Sequence, residues 1–157
     1  PRGQCPALAL DDGQHITEIT AICEYLEEKY PSPPLIGATA EERARTRMWV
    51  RRIDLSICEP LANGYRAAEG LKMFKDRFRV LPEAADGLKA IARDNLAWLD
   101  ANLGSRPFIC GDRFSLADIL LYAFLVFGAR VGQPVDPALS HITAWMEGIA
   151  SRPSAKA

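Results

Sequence analysis

The chain has 157 residues, with 19 Lys and Arg against 20 Asp and Glu, a formal net charge of −1. Its 48% hydrophobic and 25% charged content is that of an ordinary globular protein and excludes an intrinsically disordered one. The balanced charge argues against a nucleic-acid partner, which normally meets a basic face, and no apolar run reaches the ~18 residues of a membrane helix, so no membrane partner is expected either.

The first third reads as strand, turn, strand, helix. Pro6-Ala7-Leu8-Ala9-Leu10 is a short apolar run ended by Asp11-Asp12-Gly13. Asp-Gly is a strong hairpin signal, because Gly accepts the positive φ such turns need. Gln14-His15-Ile16 starts the returning strand, and Ile19, Ile22, Cys23 and Leu26 repeat at helical spacing, predicting a helix over 18–29. Tyr30-Pro31-Ser32-Pro33-Pro34 ends it. Two strands and one helix cannot stand alone, so this part is a sheet fragment.

Beyond the Pro-rich link the pattern is helical throughout, with the boundary near residue 36. Thr39 caps a helix whose first turn carries Glu41 and Glu42; Ala44, Met48 and Leu55 form one row on it, and Trp49, Ile53 and Ile57 an adjoining apolar row. Pro60 should kink or end this helix, and Asn63-Gly64 is a further break signal. Pro82-Glu83 opens another helix with Leu88, Ile91, Ala92, Leu96 and Leu99 on its buried face, stopping near Gly104. Ser115 starts a very apolar helix, and residues 139–149 form a fourth. Between Tyr65 and Arg79 lie five basic and two acidic residues, with Phe74 and Phe78 one turn apart. This stretch reads first as a solvated face with two core-facing aromatics, and second as a surface for an anionic ligand or partner.

Cys5, Cys23, Cys58 and Cys110 are 18, 35 and 52 residues apart, without CxxC or zinc-ribbon spacing. Only His15 and His141 could join them, so no metal is expected, and the thiols read as reduced and mostly buried.

Two motifs carry chemistry. Ser115-Leu116-Ala117-Asp118 is a capping box with Asp in place of Glu, which speaks for folding stability. Gln4-Cys5-Pro6 precedes the first strand and Thr17-Glu18-Ile19-Thr20 opens the first helix. A cis Pro6 would turn the Cys5 backbone outward, the helix start would offer amides to a carboxylate, and Glu18 would hold an ammonium. Each also has a plain reading: Pro6 as a trans strand-edge residue, and Glu18 as a partner of the helix dipole.

These segments, with Asp12-Gly13, Ala21-Ile22, Tyr25-Leu26, the linker 31–37, Phe114-Ser115-Leu116-Ala117-Asp118 and Arg152-Pro153, resemble the cytosolic glutathione transferases. The resemblance spans essentially the whole chain in order. It implies an α+β two-domain fold: residues 1–36 as the C-terminal part of a thioredoxin-like, glutathione-binding α/β domain (strand-strand-helix), and 37–157 as an all-α helical-bundle domain. Cys5, before the cis Pro6, would pair its backbone with the cysteinyl part of glutathione, with Gln4 beside it. Glu18 would receive the γ-glutamyl end. The family usually has Ser next; Ile19 keeps the amide and loses the hydroxyl.

The implied activity is conjugation of glutathione thiolate to small hydrophobic electrophiles, a detoxifying reaction in the cytoplasm, by a homodimer with glutathione as co-substrate. The family's catalytic Tyr, Ser or Cys belongs to a segment expected before Pro1, so no catalytic residue is visible here, and the chain alone is expected to be inactive. Tyr65 is a candidate for the co-substrate pocket, with core packing as its plain alternative. The alternative functions are a non-catalytic binding or assembly module, and a glutathione-dependent isomerase, dehalogenase or disulfide reductase.

Overall fold

A computed structural model describes residues 5–156. Strands β1 (Ala7–Ala9) and β2 (His15–Thr17) pair antiparallel in the register Ala7↔Thr17, Leu8↔Ile16 and Ala9↔His15. The Leu10 amide donates to the Gln14 carbonyl at 2.8 Å and the Gly13 amide to the Leu10 carbonyl at 3.0 Å. Gly13 takes φ 84°, the left-handed conformation that closes a three-residue hairpin loop. Helix α1 (Ile19–Lys29) follows directly and stops before Pro31, whose ring disfavours helical backbone at Tyr30.

Helix α2 (Ala40–Ile53) has a full capping box: Thr39 Oγ1 accepts from the Glu42 amide at 3.2 Å, and the Glu42 carboxylate accepts from the amides of Ala38 and Thr39. Trp49, Ile53 and Ile57 are buried, together with Thr46 and Val50. The adjoining row is not core: Met48 and Leu55 remain 42% and 50% exposed. Pro60 does not end the helical run, which continues past it to Ala67. A π-helical turn over Asp54–Cys58 lets the Glu59 amide bond the Asp54 carbonyl five residues back, just before the proline that has no N–H to donate. Helix α3 (Glu59–Ala67) then runs straight through Asn63-Gly64, where a break was expected. Gly64 serves packing instead: a Cβ there would meet Lys89 Cγ at 2.8 Å.

A short helix α4 (Leu71–Phe74) and a 3₁₀ turn at Pro82–Ala84 lead into α5 (Ala85–Leu103). Ala85, Ala92, Leu96, Leu99 and Leu103 form its buried stripe, whereas Ile91, expected inside, is 48% exposed. Helix α6 (Leu116–Arg130) is central, with Ala117 and Leu121 fully buried, and α7 (Ser140–Ala150) covers it with Ile142, Trp145 and Ile149. Among the described residues no helix is long and apolar enough to cross a membrane. The architecture is a fragment of a thioredoxin-like sheet and helix followed by a helical bundle.

Two buried polar groups hold the parts in place. The Ser115–Asp118 box forms, and the fully buried Asp118 carboxylate gathers more than the box needs. Its Oδ2 accepts the Ser115 amide and hydroxyl, each at 2.9 Å; its Oδ1 accepts the Ile109 amide at 2.8 Å and Trp145 Nε1 at 3.0 Å.

The segment between α1 and α2 is gripped from both sides. Buried Glu27 accepts from the Ile36 and Gly37 amides at 2.6 and 3.3 Å, with Arg43 Nη1 3.6 Å away. Arg113 donates to the carbonyls of Pro34, Leu35 and Ile36 at 3.2, 3.2 and 3.3 Å and to Thr46 Oγ1 at 2.6 Å. Arg47 adds a two-pronged pair with Glu24 at 2.7 and 2.9 Å. Together these fix α1, and with it the hairpin, against the bundle.

Candidate functional site

The hairpin register decides what stands beside what. The last pair of the hairpin, Ala7↔Thr17, leaves Pro6 and Glu18 as the next residues on the two chains at its open end. Cys5 and Pro6, which precede β1, and Glu18 and Ile19, which follow β2, therefore lie at the same end of the hairpin. Gln4 lies outside the described residues. The Cys5–Pro6 bond is cis.

Glu18 is the N-cap of α1, and its carbonyl accepts the first helical bond from the Ile22 amide at 3.0 Å. Among the described non-glycine residues it has the positive φ, 71° with ψ 120°, a backbone conformation that costs of order 1–3 kcal/mol for an L residue. Its side chain does not fold back to cap the helix. The contrast with α2 and α6 is informative, because both of those have complete capping boxes. At α1 the first-turn amides of Ile19, Thr20 and Ala21 have no side-chain cap, Ile19 and Ala21 being exposed and Thr20 half-buried. Such an end, with the positive pole of the helix dipole behind it, is a site for a carboxylate. The Glu18 carboxylate beside it suits a cation, so the pair matches a zwitterionic amino-acid group.

Sequence reasoning missed one residue whose charge is coupled to that of Glu18. Half-buried Asp54, at the end of α2, has its carboxyl pushed above the ordinary aspartate range, first by burial and then by the Glu59 charge; Arg51 opposes this, and the charge of Glu18 adds to it. Asp54 is therefore within electrostatic reach of Glu18. Its signal in the sequence was slight: an acid between Ile53 and Leu55 in an otherwise apolar row.

Tyr65 lies elsewhere, about 16 Å farther along the α2–α3 axis from Asp54 by helical rise. It lines a cavity of about 400 Å³ between α3, α4 and α6, walled chiefly by Ala62, Arg66, Phe74, Phe124 and Phe127. Its ring meets Phe127 and Phe74 edge-on, with centroids at 5.3 and 6.0 Å. Gly70 makes room for that ring: a Cβ there would come within 2.9 Å of Tyr65 Cζ. Phe74 and Phe78, expected to face the core, instead pack around Tyr65 and Arg66 at the edge of the bundle, each half-buried. A polar row joins the two regions, with Asn63 Nδ2 donating to Glu59 Oε2 at 3.0 Å and Arg66 Nη1 to Asn63 Oδ1 at 2.9 Å.

The four cysteines are free thiols. Cys5 is exposed, and its expected role uses the backbone; Cys58 is fully buried, and burial pushes its thiol far up.

Comparison with known proteins bears on both regions. Residues 68–153 match the family described as glutathione S-transferase, C-terminal domain, and residues 1–29 the family described as glutathione S-transferase, N-terminal domain. Glutathione S-transferase 2 of Saccharomyces cerevisiae is 32% identical over 159 residues, covering 98% of this chain and 66% of that protein. Maleylacetoacetate isomerase of Pseudomonas aeruginosa is 31% identical, covering 87% of this chain and 62% of the isomerase. The chain thus spans about two thirds of the length of these relatives. The crystal structure of Gtt2 from Saccharomyces cerevisiae superposes with a TM-score of 0.90 at 33% identity, covering 98% of this chain and 74% of that one. With both domain families matched in order and the fold shared at that level, the chain belongs to the glutathione S-transferase family.

Proposed function

We propose that the protein binds glutathione at the open end of the hairpin and conjugates its thiolate to small hydrophobic electrophiles. The observation that carries this reading is the convergence of Cys5–Pro6 with the uncapped start of α1 at the strained residue Glu18. In it, the γ-glutamyl carboxylate takes the amides of Ile19 and Thr20, and the ammonium sits between Glu18 and Asp54. The cysteinyl part lies extended along the Cys5 backbone, and Gln4 completes the contact. Ile19 supplies only its amide, so one hydrogen bond to the carboxylate is missing, a loss of about 1.5–3 kcal/mol.

Residues 1–36 then act as part of the glutathione-binding domain and 37–157 as the helical domain, with Tyr65 in the co-substrate pocket. This chain's own residues bind and orient the substrate; the thiolate attacks the electrophilic carbon, forming a C–S bond and displacing a leaving group or adding across a double bond. The reading includes a detoxifying role in the cytoplasm, and a homodimer for which exposed Met48, Leu55, Ile91 and Trp98 offer apolar surface.

Retention of the full-length protein on immobilised glutathione tests the proposal. Glu18→Gln should weaken glutathione binding about 10–100-fold, the value of a charge-assisted hydrogen bond. Unchanged retention of that variant would refute the assigned role of Glu18, and no retention of the wild type would favour a non-catalytic assembly module. The likeness to maleylacetoacetate isomerase favours one second reading, a glutathione-dependent isomerase using the same binding site. A product lacking a glutathionyl group, with glutathione regenerated, would identify it.

A further inference from the structure

The cavity between α3, α4 and α6 has an aromatic interior and a cation at its mouth. Arg66 is half-buried and places its guanidinium 5.9 Å from the ring centres of both Phe74 and Phe78. It donates one N–H to Asn63 Oδ1, and no carboxylate pairs with it among the described residues. Among the other half-buried cations, Lys89 pairs with Glu69 at 2.6 Å, Arg43 with Glu27, and Arg113 with a row of carbonyls, whereas Arg152 lies over the Phe114 ring. The two acids of the 65–79 stretch do not serve Arg66, because Glu69 is held by Lys89 and Asp76 by Lys75 at 3.6 Å. A guanidinium set beside aromatic rings at the edge of an apolar cavity can offer its forked N–H groups to a planar carboxylate. The walls beside it suit a flat ring, which Tyr65, Phe124 and Phe127 would contact by face and edge. A volume of about 400 Å³ lies within the usual range for small-molecule sites.

We infer that this cavity selects aromatic carboxylates, with the ring among Tyr65, Phe124 and Phe127 and the carboxylate on Arg66. The inference rests on the transferase reading only in taking this cavity as the co-substrate site. It narrows the electrophile from any small hydrophobic compound to an aromatic one carrying an acid group. It also gives a role to the basic, aromatic stretch, whose sequence admitted an anionic ligand as its second reading.

The test compares 2-naphthoate with its neutral analogue 2-naphthamide by titration calorimetry on the full-length protein. The wild type should bind the acid about tenfold or more tightly than the amide, the ratio expected of a charge-assisted pair. Arg66→Gln should remove that preference while leaving amide affinity and glutathione binding unchanged. Ala123→Trp, an exposed position on the cavity wall, should block both ligands. Equal binding of acid and amide by the wild type, no binding of either, or an equal loss of both in Arg66→Gln would overturn the inference. Should the acid preference hold while glutathione fails to bind, the transferase reading falls and the carboxylate site stands.

Discussion

Asp118 offers the sharpest test of how the helical part is held. Its carboxylate is fully buried and takes four donors at 2.8–3.0 Å: the Ser115 amide and hydroxyl, the Ile109 amide and the Trp145 indole. Asp118→Asn keeps an acceptor for Ile109 and Trp145, but turns an NH₂ toward the Ser115 amide and removes the charge. One buried N–H is left unpaired and the others weaken, for a loss of about 2–3 kcal/mol. Asp118→Ala strands three donors (the amides of Ser115 and Ile109 and the Trp145 indole) and should cost roughly twice that. For a chain of this size the Asn variant should melt about 4–12 °C lower.

Thermal and urea unfolding followed by circular dichroism reads these values, and Trp145→Phe supplies the control. Because Trp145 and Asp118 share a bond, the double variant Asp118→Ala/Trp145→Phe should be more stable than the sum of its parts by about 0.5 kcal/mol or more. An Asn variant within about 0.5 kcal/mol of wild type would refute the reasoning, since a buried carboxylate held by four donors cannot lose its charge at no cost. The consequence reaches function, because the helix that Asp118 anchors carries Ala123, Phe124 and Phe127 of the cavity wall.

Two further outcomes follow from the charge and thiol environments. Burial and the Glu59 charge raise the Asp54 carboxyl, so the folded state takes up that proton more readily than the unfolded one. The group therefore favours folding increasingly as pH falls through its folded pKa, and opposes it above. Asp54→Asn should raise Tm at neutral pH, lose that advantage in acid where the wild-type carboxyl is protonated, and weaken glutathione binding; a lower Tm at neutral pH would contradict this account. Alkylation by iodoacetamide at neutral pH should reach exposed Cys5 first and Cys58 only on unfolding, with bound glutathione slowing Cys5. Peptide mass mapping reads the order, and early labelling of Cys58 would contradict the packing around α3.

What could be read from the sequence was local. Asp12-Gly13 closes its hairpin and Thr39 caps its helix because the groups that matter lie within a few residues. Glu18 and Cys5 were legible as a pair through their family resemblance, and the register Ala7↔Thr17 puts them at the same end of the hairpin. Long-range choices were not legible. Two adjacent apolar rows on α2 look alike in sequence, and only the packing of α5 and α6 decides that Trp49 turns inward while Met48 stays out. Pro60 reads as a break, yet a widened turn before it absorbs the missing N–H. The grip of Arg113 on residues 77–79 positions earlier, the Trp145 bond to Asp118, and the approach of Asp54 to Glu18 depend on how elements fold back on one another. Tyr65 was singled out by residue type, but its cavity requires α4 and α6, and Gly70 to clear the ring.

In the proposed complex glutathione sits where β1 enters the sheet and α1 begins, and backbone amide NMR tests this at the atoms concerned. Titrating reduced glutathione into the full-length, ¹⁵N-labelled protein should shift the amides of Cys5, Ile19, Thr20 and Ala21 most, with Glu18→Gln weakening the whole set together. Saturable shifts centred on α5 or α7, with those four amides unmoved, would contradict it.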